Sequence, residues 1–563
     1  MNPRWADEIS EKYVSGAVTM FVLHGNVHDT VDGSQGPVSL NRYLETVLFA
    51  GRDLVLRYDR GGGLHFATSE MHQDFRAALS GYDAFHETNY TRALPRNPDG
   101  VLNILDNYLR LRLHDGRKIA LILDYAETLA PAGEVSRMPA EDRNALVILK
   151  RWTYNPAFLK ADITIVLVAE NLVELNQGIV QLPGVAVVDV PMPDAAERRA
   201  VLERALAASP LPAGSDVSVD ALVQLTAGLK RVQLQMVLSQ AARSKKPLTV
   251  ESLGSRKKQF IEAESGGMLE FVQSRWNLSM VAGLEGAKRK LFDAAKAIRT
   301  GRSEVLPMGY VICGPVGTGK TFLANCFAGE VGIPAVILKN FRSMWQGQTE
   351  ANLERVLALL KAMSPIVVIV DEADAQLGDR SSSGDSGVNN RVFAQIAQFM
   401  GNTEHRGKVI WFLLTSRPDL LPVDLKRQGR AEEHLALFYP STAEERVAMF
   451  RAMQKKTGAK IEPAADAEAV VTHHKDALSG ADIEAILVRS KMRAALEERA
   501  ITIADLQQAL SDFIPAADPR EIELQKVAAV LECTSRDLLP AEYRDMDRTE
   551  LRLRAAELGV GRG

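Results

Sequence analysis

The chain has 563 residues, 46% of them hydrophobic and 25% charged, and a formal net charge of −4. This length allows two or more domains with separate cores, and the composition is typical of a globular protein rather than a disordered one. The near balance of charge gives no argument for nucleic acid, and the lack of a signal core or a run of about 18 apolar residues predicts a cytoplasmic protein without a membrane segment.

Strands alternate with helices through the first half, which predicts a parallel sheet with helices on both faces. Apolar runs predict strands at 20–24, 53–58, 118–124, 163–169 and 185–190. Helical patterns occur at 39–50, 69–80, 99–113, 141–153, 194–207, 219–227, 230–244 and 249–264. The helices that follow the last strand predict a small helical unit.

Two strands of this half end near polar residues. Asp124 ends the third strand and Asn171 follows the fourth. This order of strands, polar ends and a helical unit resembles the AAA+ ATPase module, in which Asp124 would hold the Walker B position and Asn171 the sensor position. However, no G-x-x-x-x-G-K-[ST] segment precedes residue 314, and Tyr125 stands where a water-activating glutamate is expected. We interpret this half as a degenerate AAA+-like module that does not hydrolyse ATP, with an unrelated α/β domain as the alternative.

A phosphate-binding loop (P-loop) marks the second half. It consists of Gly314, Pro315, Val316, Gly317, Thr318, Gly319, Lys320 and Thr321, which match G-x-x-x-x-G-K-T. An apolar strand at 310–313 precedes it, and a helix follows from Phe322, which we count among the nucleotide contacts. The glycines let backbone N–H groups approach the phosphates, and the helix N-terminus adds positive potential. We expect Lys320 to reach the β- and γ-phosphates, and the Thr321 hydroxyl to bind Mg²⁺.

Two carboxylates follow the apolar strand predicted at 366–370. Asp371 and Glu372 emerge at its C-terminal edge, the edge at which open α/β sheets bind ligands. We expect Asp371 to hold Mg²⁺, mostly through water, and Glu372 to orient and polarise the attacking water. Together with the P-loop, this pair predicts hydrolysis of a nucleoside triphosphate.

From about residue 270 to 515 the sequence resembles the AAA clade of AAA+ ATPases, the group of katanin, spastin and the proteasomal ATPases. The resemblance implies ATP and Mg²⁺ as cofactors. It also implies that Val281 and Gly283 line the adenine pocket, and that Gly480 and Ala481 let the lid helix start close to the base and sugar. Ser416 stands at the catalytic sensor-1 position, where asparagine is usual, and its shorter hydroxyl can still hydrogen-bond water or the γ-phosphate.

Arg427 and Arg430 match the segment that supplies arginine fingers in this family. Such residues act across a subunit boundary, where a guanidinium stabilises charge on the neighbour's γ-phosphate. The resemblance therefore implies a homo-oligomeric ring, which is a hexamer in the family. Surface solvation is the alternative role for two arginines at this spacing.

Trp345 lies in a segment that resembles the family's pore loop. An exposed aromatic beside glycine can grip a polypeptide without reading its sequence, because apolar contact is non-directional. The resemblance implies a protein or peptide substrate and an ATP-driven remodelling or unfolding motor; a core anchor is the alternative role for Trp345. A nucleotide-dependent scaffold or assembly chaperone is the alternative function, whereas the aromatic loop and balanced charge argue against a DNA or RNA remodeller.

These patterns predict an α/β fold with two tandem P-loop NTPase-like modules, each a parallel sheet flanked by helices with a small helical lid. The predicted boundaries are 1–262 for the degenerate module (lid at about 192–262), 263–276 for a linker, 277–438 for the large ATPase subdomain, 439–517 for its lid and 518–563 for a helical tail. For the tail, packing on a neighbouring subunit and binding a partner are both open.

Overall fold

The chain divides into two compact units, the first formed by Met1–Ile261 with Glu350–Ala362 and the second by Glu262–Thr349 with Met363–Gly563. The computed structural model describes all residues except 1, 17, 35, 96, 216, 245, 340–348, 378–385, 462, 473–477, 516–517 and 560–563.

Strands and helices alternate along the first unit. Its strands are β1 (Met20–Gly25), β2 (Thr30–Gly33), β3 (Gly36–Ser39), β4 (Leu54–Asp59), β5 (Gly63–Phe66), β6 (Ile119–Leu123), β7 (Ile163–Val168) and β8 (Val185–Val190). Its helices in chain order are α1 (Arg4–Val14), α2 (Leu40–Tyr43), α3 (Ser69–His86), α4 (Pro98–His114), α5 (Ala140–Tyr154), α6 (Pro156–Leu159), α7 (Gln177–Val180), α8 (Ala195–Ala208), α9 (Val219–Leu225), α10 (Arg231–Ser244) and α11 (Val250–Glu264).

Six of these strands form one sheet in the order β5-β4-β6-β7-β1-β8. Neighbours pair in parallel, except that β5 runs antiparallel to β4 at the edge. Strands β2 and β3 form a separate antiparallel hairpin after β1. The central strands β6 and β7 are buried along their whole length, because apolar clusters lie on both faces of the sheet.

Helices α8 to α11 form a helical subdomain after β8, which we call the first lid. Helix α8 begins with a capping box, in which Asp194 and Glu197 each accept a hydrogen bond from the other's backbone N–H. A separate apolar cluster that includes Leu202, Leu222 and Val237 fills the centre of the first lid. The first lid therefore has its own core.

The second unit repeats this alternation. Its strands are β9 (Leu269–Phe271), β10 (Gly309–Cys313), β11 (Ala335–Leu338), β12 (Ile366–Val370), β13 (Val409–Thr415) and β14 (Glu433–Ala436). The remaining helices are α12 (Glu285–Arg299), α13 (Lys320–Val331), α14 (Thr349–Ala362, grouped from Glu350 with the first unit), α15 (Ala373–Leu377), α16 (Ser386–Met400), α17 (Val423–Lys426), α18 (Ala443–Thr457), α19 (Ala464–Thr472), α20 (Gly480–Leu496), α21 (Ile503–Ser511), α22 (Pro519–Glu532), α23 (Ala541–Arg544) and α24 (Arg548–Leu558).

The second sheet has the order β14-β10-β13-β12-β11-β9. Its strands are parallel except β9, which pairs antiparallel with β11. Read from the other edge, this is the strand order of the first sheet, with β10 in the place of β1, β12 in the place of β6 and β9 in the place of β5. Helices α18 to α21 form the second lid, whose core includes Phe450, Ile486 and Leu506.

The C-terminal helices pack on the second unit itself. Helix α22 carries the buried residues Leu524 and Val527. Tyr543 in α23 stacks on Phe438, with ring centroids 6.4 Å apart. Glu532, the last residue of α22, forms ion pairs inside the same unit, which are described below. The tail is therefore part of the second unit's structure.

The predicted α/β class, with two mostly parallel sheets flanked by helices, is confirmed. The sequence patterns missed the hairpin β2–β3 and the edge strands β5 and β9, because short edge strands carry no continuous buried apolar run. Strand β9 lies inside the predicted linker 263–276, and the domain boundaries remain predictions. Among the described residues, no helix is both long and apolar enough to cross a membrane.

Candidate functional site

A cavity of about 610 Å³ opens at the carboxyl edge of the second sheet. Its floor is the P-loop and the residues that follow β12 and β13. Its walls come from the segment before α12 and from helices α18 and α20 of the second lid. The cavity thus lies where parallel α/β sheets bind ligands, at the edge to which the sequence motifs point.

Two glycines give the P-loop its shape. Gly314 has φ +146°, and a Cβ there would lie 2.2 Å from the Leu437 carbonyl oxygen. Gly317 has φ +85°, and a Cβ there would lie 2.7 Å from the Ser479 hydroxyl at the start of α20. Both conformation and space therefore require glycine, which lets the loop backbone lie close to β14 on one side and the second lid on the other.

Lys320 lies folded against its own loop. Its ammonium donates hydrogen bonds to the carbonyl oxygens of Gly314 and Pro315, at 2.8 and 3.0 Å. Burial lowers the pKa of Lys320 to about 8, because desolvation disfavours its charged form. A negatively charged phosphate beside the ammonium would offset that cost, so the site is electrostatically suited to an anion.

Thr321 and Asp371 meet directly beneath the loop. The Thr321 hydroxyl donates a hydrogen bond of 2.8 Å to Asp371 Oδ2. Asp371 Oδ1 accepts a 2.9 Å hydrogen bond from the Glu372 backbone N–H. A hydroxyl and a carboxylate oxygen at this separation are ligands of the hard type that Mg²⁺ prefers, so these residues fit the predicted ion.

Glu372 is exposed at the mouth of the cavity and has φ +47°, a left-handed conformation that is uncommon for a residue with a side chain. The kink turns the chain sharply after β12 and leaves the carboxylate at the cavity lining. Backbone strain of this kind is concentrated at functional sites. The Glu372 carboxylate thus faces the space of the cavity.

Ser416 also lines the cavity, at the end of β13. The preceding residue, Thr415, is buried and its hydroxyl donates a 2.6 Å hydrogen bond to Asp374. The Thr415 hydroxyl also accepts a 2.9 Å hydrogen bond from the Arg417 backbone N–H. Sequence reasoning missed Thr415, which fixes the turn that carries Ser416; its place on a strand beside β12 was the signal for it.

The far end of the cavity is more apolar. Val281 lines it, whereas Gly283 forms a turn at φ +63° beside it and does not contribute to the lining given by the described residues. Gly480, Ala481 and Phe322 contribute as predicted.

The second lid adds four residues that the motifs did not identify: Met449, Met453, Lys456 and Glu484. Lys456 pairs with Glu484 at 2.6 Å and lies over the Phe322 ring at 5.2 Å. Met449 and Met453 are four residues apart on α18, the spacing that places two side chains on one helix face. This spacing, on a helix that begins at the capping box of Thr442, was the sequence signal from which the shared face of Met449 and Met453 could have been predicted.

Two predicted functional elements do not reach this cavity. Arg427 and Arg430 are absent from the described lining. The Arg430 guanidinium donates to the Asp424 carbonyl oxygen at 2.7 Å, and Arg427 forms a 3.4 Å ion pair with the Asp424 carboxylate. Trp345 lies outside the described residues.

Three family models match the chain in order. The N-terminal Rossmann-like domain of AAA+ chaperones matches residues 1–191, and their second helical domain matches 196–266. The model of the ATPase family associated with various cellular activities (AAA) matches 310–439, which includes the P-loop and Asp371. The chain is an AAA+ ATPase.

Curated relatives of this AAA+ ATPase are 26% to 28% identical to it over the matched residues. A cell division cycle protein 48 homolog of Archaeoglobus fulgidus is 26% identical over 383 residues, 60% of this chain and 51% of the relative. The uncharacterized AAA domain-containing protein ycf46 of Guillardia theta is 28% identical over 308 residues, 53% of this chain and 60% of the relative. The peroxisomal ATPase PEX6 of Rattus norvegicus is 28% identical over 382 residues, 59% of this chain and 38% of the relative. The chain thus spans between 38% and 60% of the length of these relatives.

The first unit of the AAA+ ATPase has a different structure at the matching edge of its sheet. After β1 the chain continues through Asn26 to Asp29, which is 3% exposed. The Asp29 carboxylate accepts hydrogen bonds from the backbone N–H groups of Arg231 and Val232, at 2.8 and 3.0 Å. These two residues begin α10 of the first lid. An internal carboxylate therefore occupies the N-terminus of the helix that corresponds to α20.

The carboxylate of Asp124, which follows β6 in the first unit, is also hydrogen-bonded to other groups of the same unit. The Asn41 amide donates a hydrogen bond to Asp124 Oδ2. The Tyr125 backbone N–H donates a 3.0 Å hydrogen bond to Asp124 Oδ1, and Tyr125 has φ +49°. The backbone at Asp124–Tyr125 thus repeats that of Asp371–Glu372, with an amide donor in the place of Thr321 and a phenol ring in the place of the Glu372 carboxylate. Asn171, also buried, donates to Glu174 at 3.0 Å.

Proposed function

We propose that the second unit binds ATP with Mg²⁺ and hydrolyses it, and that this energy drives the remodelling or unfolding of protein substrates. The observation that carries the proposal is the convergence of Lys320, Thr321, Asp371 and Glu372 on one cavity. The match of the first 266 residues to the two AAA+ chaperone models supports a protein rather than a nucleic acid as the substrate.

Each residue has a role that follows from its position. The Lys320 ammonium exchanges its bonds to the Gly314 and Pro315 carbonyl oxygens for bonds to phosphate oxygens. Thr321 and Asp371 would hold Mg²⁺, which supplies positive charge to the phosphate oxygens when it is bound. Glu372 orients water and accepts its proton, while Ser416 positions the water or the terminal phosphate by a hydrogen bond.

A homo-oligomeric ring, most simply a hexamer, completes this site. Arg427 and Arg430 lie on the segment after α17, outside the described lining of their own cavity. The Arg427 side chain is 57% exposed, so it is free to reach the cavity of a second copy. A guanidinium supplied in this way stabilises the charge of the transferring phosphate and is worth about 10³-fold or more in rate in related chemistry.

We assign the grip on the polypeptide to Trp345, on the basis of its sequence context. The alternative is a nucleotide-dependent scaffold or assembly chaperone, in which ATP controls ring formation and no polypeptide is threaded. The two functions differ in what Trp345 does, because a scaffold has no use for an aromatic pore residue.

Trp345→Ala, compared with Glu372→Gln, tests the motor. We expect Trp345→Ala to keep ATP hydrolysis and to lose unfolding of a fluorescent protein that carries an unstructured tail. Glu372→Gln is expected to bind ATP, to lower turnover by about 10²- to 10⁴-fold and to hold the ring together for imaging. Phe85→Ala, which removes an aromatic side chain 82% exposed in the first unit, is the matched control.

Two results would count against these roles. Trp345→Ala protein that processes the substrate at the wild-type rate would favour the scaffold. Glu372→Gln protein that hydrolyses ATP at the wild-type rate would remove Glu372 from catalysis.

A further inference from the structure

Helix α22 of the tail lies directly behind the P-loop. Its residue Gln525 has a polar side chain and is nevertheless buried, with 5% of its surface exposed. The Gln525 Oε1 atom accepts a 2.9 Å hydrogen bond from the Val316 backbone N–H, across 209 positions of sequence. A buried amide with a specific long-range partner is a strong constraint on backbone position, because leaving either group unpaired is costly.

Val316 is held on its other side as well. Its carbonyl oxygen accepts a 2.6 Å hydrogen bond from the Tyr439 hydroxyl. The Tyr439 hydroxyl is protonated at neutral pH and remains a donor, and burial raises its pKa further, to about 12. The Val316 side chain, in contrast, is 55% exposed. This residue is therefore fixed by its backbone, through two side chains from outside the loop.

Gln525 is itself well anchored. Its Nε2 group donates a 3.1 Å hydrogen bond to Glu521, one turn earlier on α22, which sets the orientation of the amide. At the other end of the helix, Glu532 lies 2.8 Å from the Lys426 ammonium and 3.0 Å from the His434 ring. Buried Val527 packs between these ends. The helix is thus a rigid support rather than a loose terminus.

We propose that Gln525 is a positioning residue for ATP binding, which acts through the Val316 backbone to keep the P-loop in its phosphate-binding shape before the nucleotide arrives. The proposal rests on ATP binding by the second unit. A loop of six residues from Gly314 to Gly319, three of them glycine, has many conformations open to it. Fixing one of its central residues in advance lowers the ordering cost of binding.

If Gln525 has this role, its replacement should weaken ATP binding and leave the rate of ATP hydrolysis at saturation unchanged. Gln525→Leu removes the acceptor for the Val316 N–H and keeps a side chain of similar volume. We expect the Kd for ATP to rise about 3- to 10-fold, the effect of one neutral hydrogen bond, with kcat at saturating ATP within about twofold of wild type. Amide hydrogen exchange in the 314–321 segment should accelerate in the nucleotide-free protein, because the loop loses its fixed point.

Two further variants separate positioning from folding. Gln525→Asn keeps the amide but shortens the side chain by one methylene, so it should reproduce the affinity loss if Gln525→Leu fails to fold. Glu523→Gln is the matched control on the same helix, because Glu523 contacts Tyr543 and Arg554 of the tail rather than the P-loop. We expect Glu523→Gln to leave the Kd and the P-loop exchange rate unchanged.

The experiment measures ATP binding by full-length protein with a fluorescent ATP analogue, together with kcat, thermal unfolding and hydrogen exchange. Wild-type affinity and wild-type P-loop exchange in both Gln525 variants would overturn the positioning role. Equal affinity losses in the Gln525 variants and Glu523→Gln would overturn it too, because they would show a general loss of tail packing. Failure of the wild-type protein to bind ATP would instead refute the proposed function.

Discussion

The two sheets share one strand order, but they differ at their carboxyl edges. The second sheet has an open cavity there, and the first has hydrogen bonds between its own residues. In the second unit the lid helix α20 starts at a capping box of Ser479 and Asp482 and lies against the P-loop glycine Gly317, beside an open cavity. In the first unit the corresponding helix α10 starts on the Asp29 carboxylate. The N-terminus of α20 faces an open cavity, whereas the N-terminus of α10 is hydrogen-bonded to the carboxylate of Asp29.

The comparison shows that the two units share a backbone conformation at this edge and differ in the side chains there. Tyr125 and Glu372 both have positive φ, and each donates its N–H to the aspartate before it. The two units differ in the side chains at this edge, which are Asn41 and Tyr125 in the first unit and Thr321 and Glu372 in the second. A helix N-terminus attracts anions, and a carboxylate stabilises it in the way that a phosphate does. The Asp29 carboxylate thus stabilises the N-terminus of α10.

The largest expected effect is on the number of nucleotides bound by each chain. Lys320→Ala should weaken ATP binding by about a hundredfold or more, the equivalent of two charged hydrogen bonds at about 1.5 kcal/mol each. Titration calorimetry should find one site per chain in wild type and none in the variant. Asp124→Asn in the first unit is the matched control and should retain one site. Full occupancy in Lys320→Ala would assign a working site to the first unit.

Removing the Asp29 carboxylate should lower the stability of the first unit. Asp29→Ala leaves the N–H groups of Arg231 and Val232 unpaired beneath the first lid, so we expect the free energy of unfolding to fall by about 2 kcal/mol. Calorimetric unfolding measures this change. Ser479→Ala, which removes the N-cap of α20, is the counterpart in the second unit and should cost about 1 kcal/mol. Unchanged unfolding of Asp29→Ala would mean that the carboxylate does not hold α10.

A smaller expected effect is a pH dependence of the stability of the second unit, caused by His434. His434 is buried, and its ring nitrogens face the Lys426, Ala431 and Glu532 carbonyl oxygens and the Glu532 carboxylate. Burial alone would lower the pKa of His434, but these acceptors, foremost Glu532, raise it above the usual value. Its contribution to stability is therefore complete below the pKa of an unfolded histidine, about 6.5, and is lost as pH rises through the raised folded pKa.

The measurement is thermal unfolding of wild type and His434→Gln at a series of pH values from about 6 upward. We expect the stability difference between the two proteins to shrink as pH rises through this window. Glu532 stays charged there, because His434 and Lys426 lower its pKa against the effect of its burial. A difference that does not vary with pH would mean that folding leaves the pKa of His434 unchanged, and one that grows as pH rises would mean that folding lowers this pKa.

The parts of the site that the sequence predicted are those set by local structure. Lys320 and Thr321 follow a strand and open a helix, and Asp371 and Glu372 end a strand of the same sheet, so their meeting follows from a parallel α/β sheet alone. Lys456 and Gln525 could not be predicted in this way. Their contacts depend on where a lid helix or the tail docks, and such long-range packing leaves no local pattern.

The same limit applies to the fold. The long buried strands were predicted because continuous apolar runs mark them, as in β6 and β7. The edge strands β5 and β9 are three or four residues long and partly exposed, so only pairing with a neighbour defines them. Asp29 was missed as a cap for a related reason, since its partners lie about two hundred positions away in the sequence.

Strand β9 also bears on the solubility of the ATPase unit. It lies at the sheet edge and pairs Leu269, Glu270 and Phe271 with the backbone of β11. β11 itself reads Ala-Val-Ile-Leu, without a charge. A fragment that starts after Phe271 would expose this apolar strand as an unpaired edge, which is a template for association with other chains. Leu269–Phe271 thus cover the edge of the uncharged strand β11, and we expect a fragment without them to associate more readily than one that keeps them.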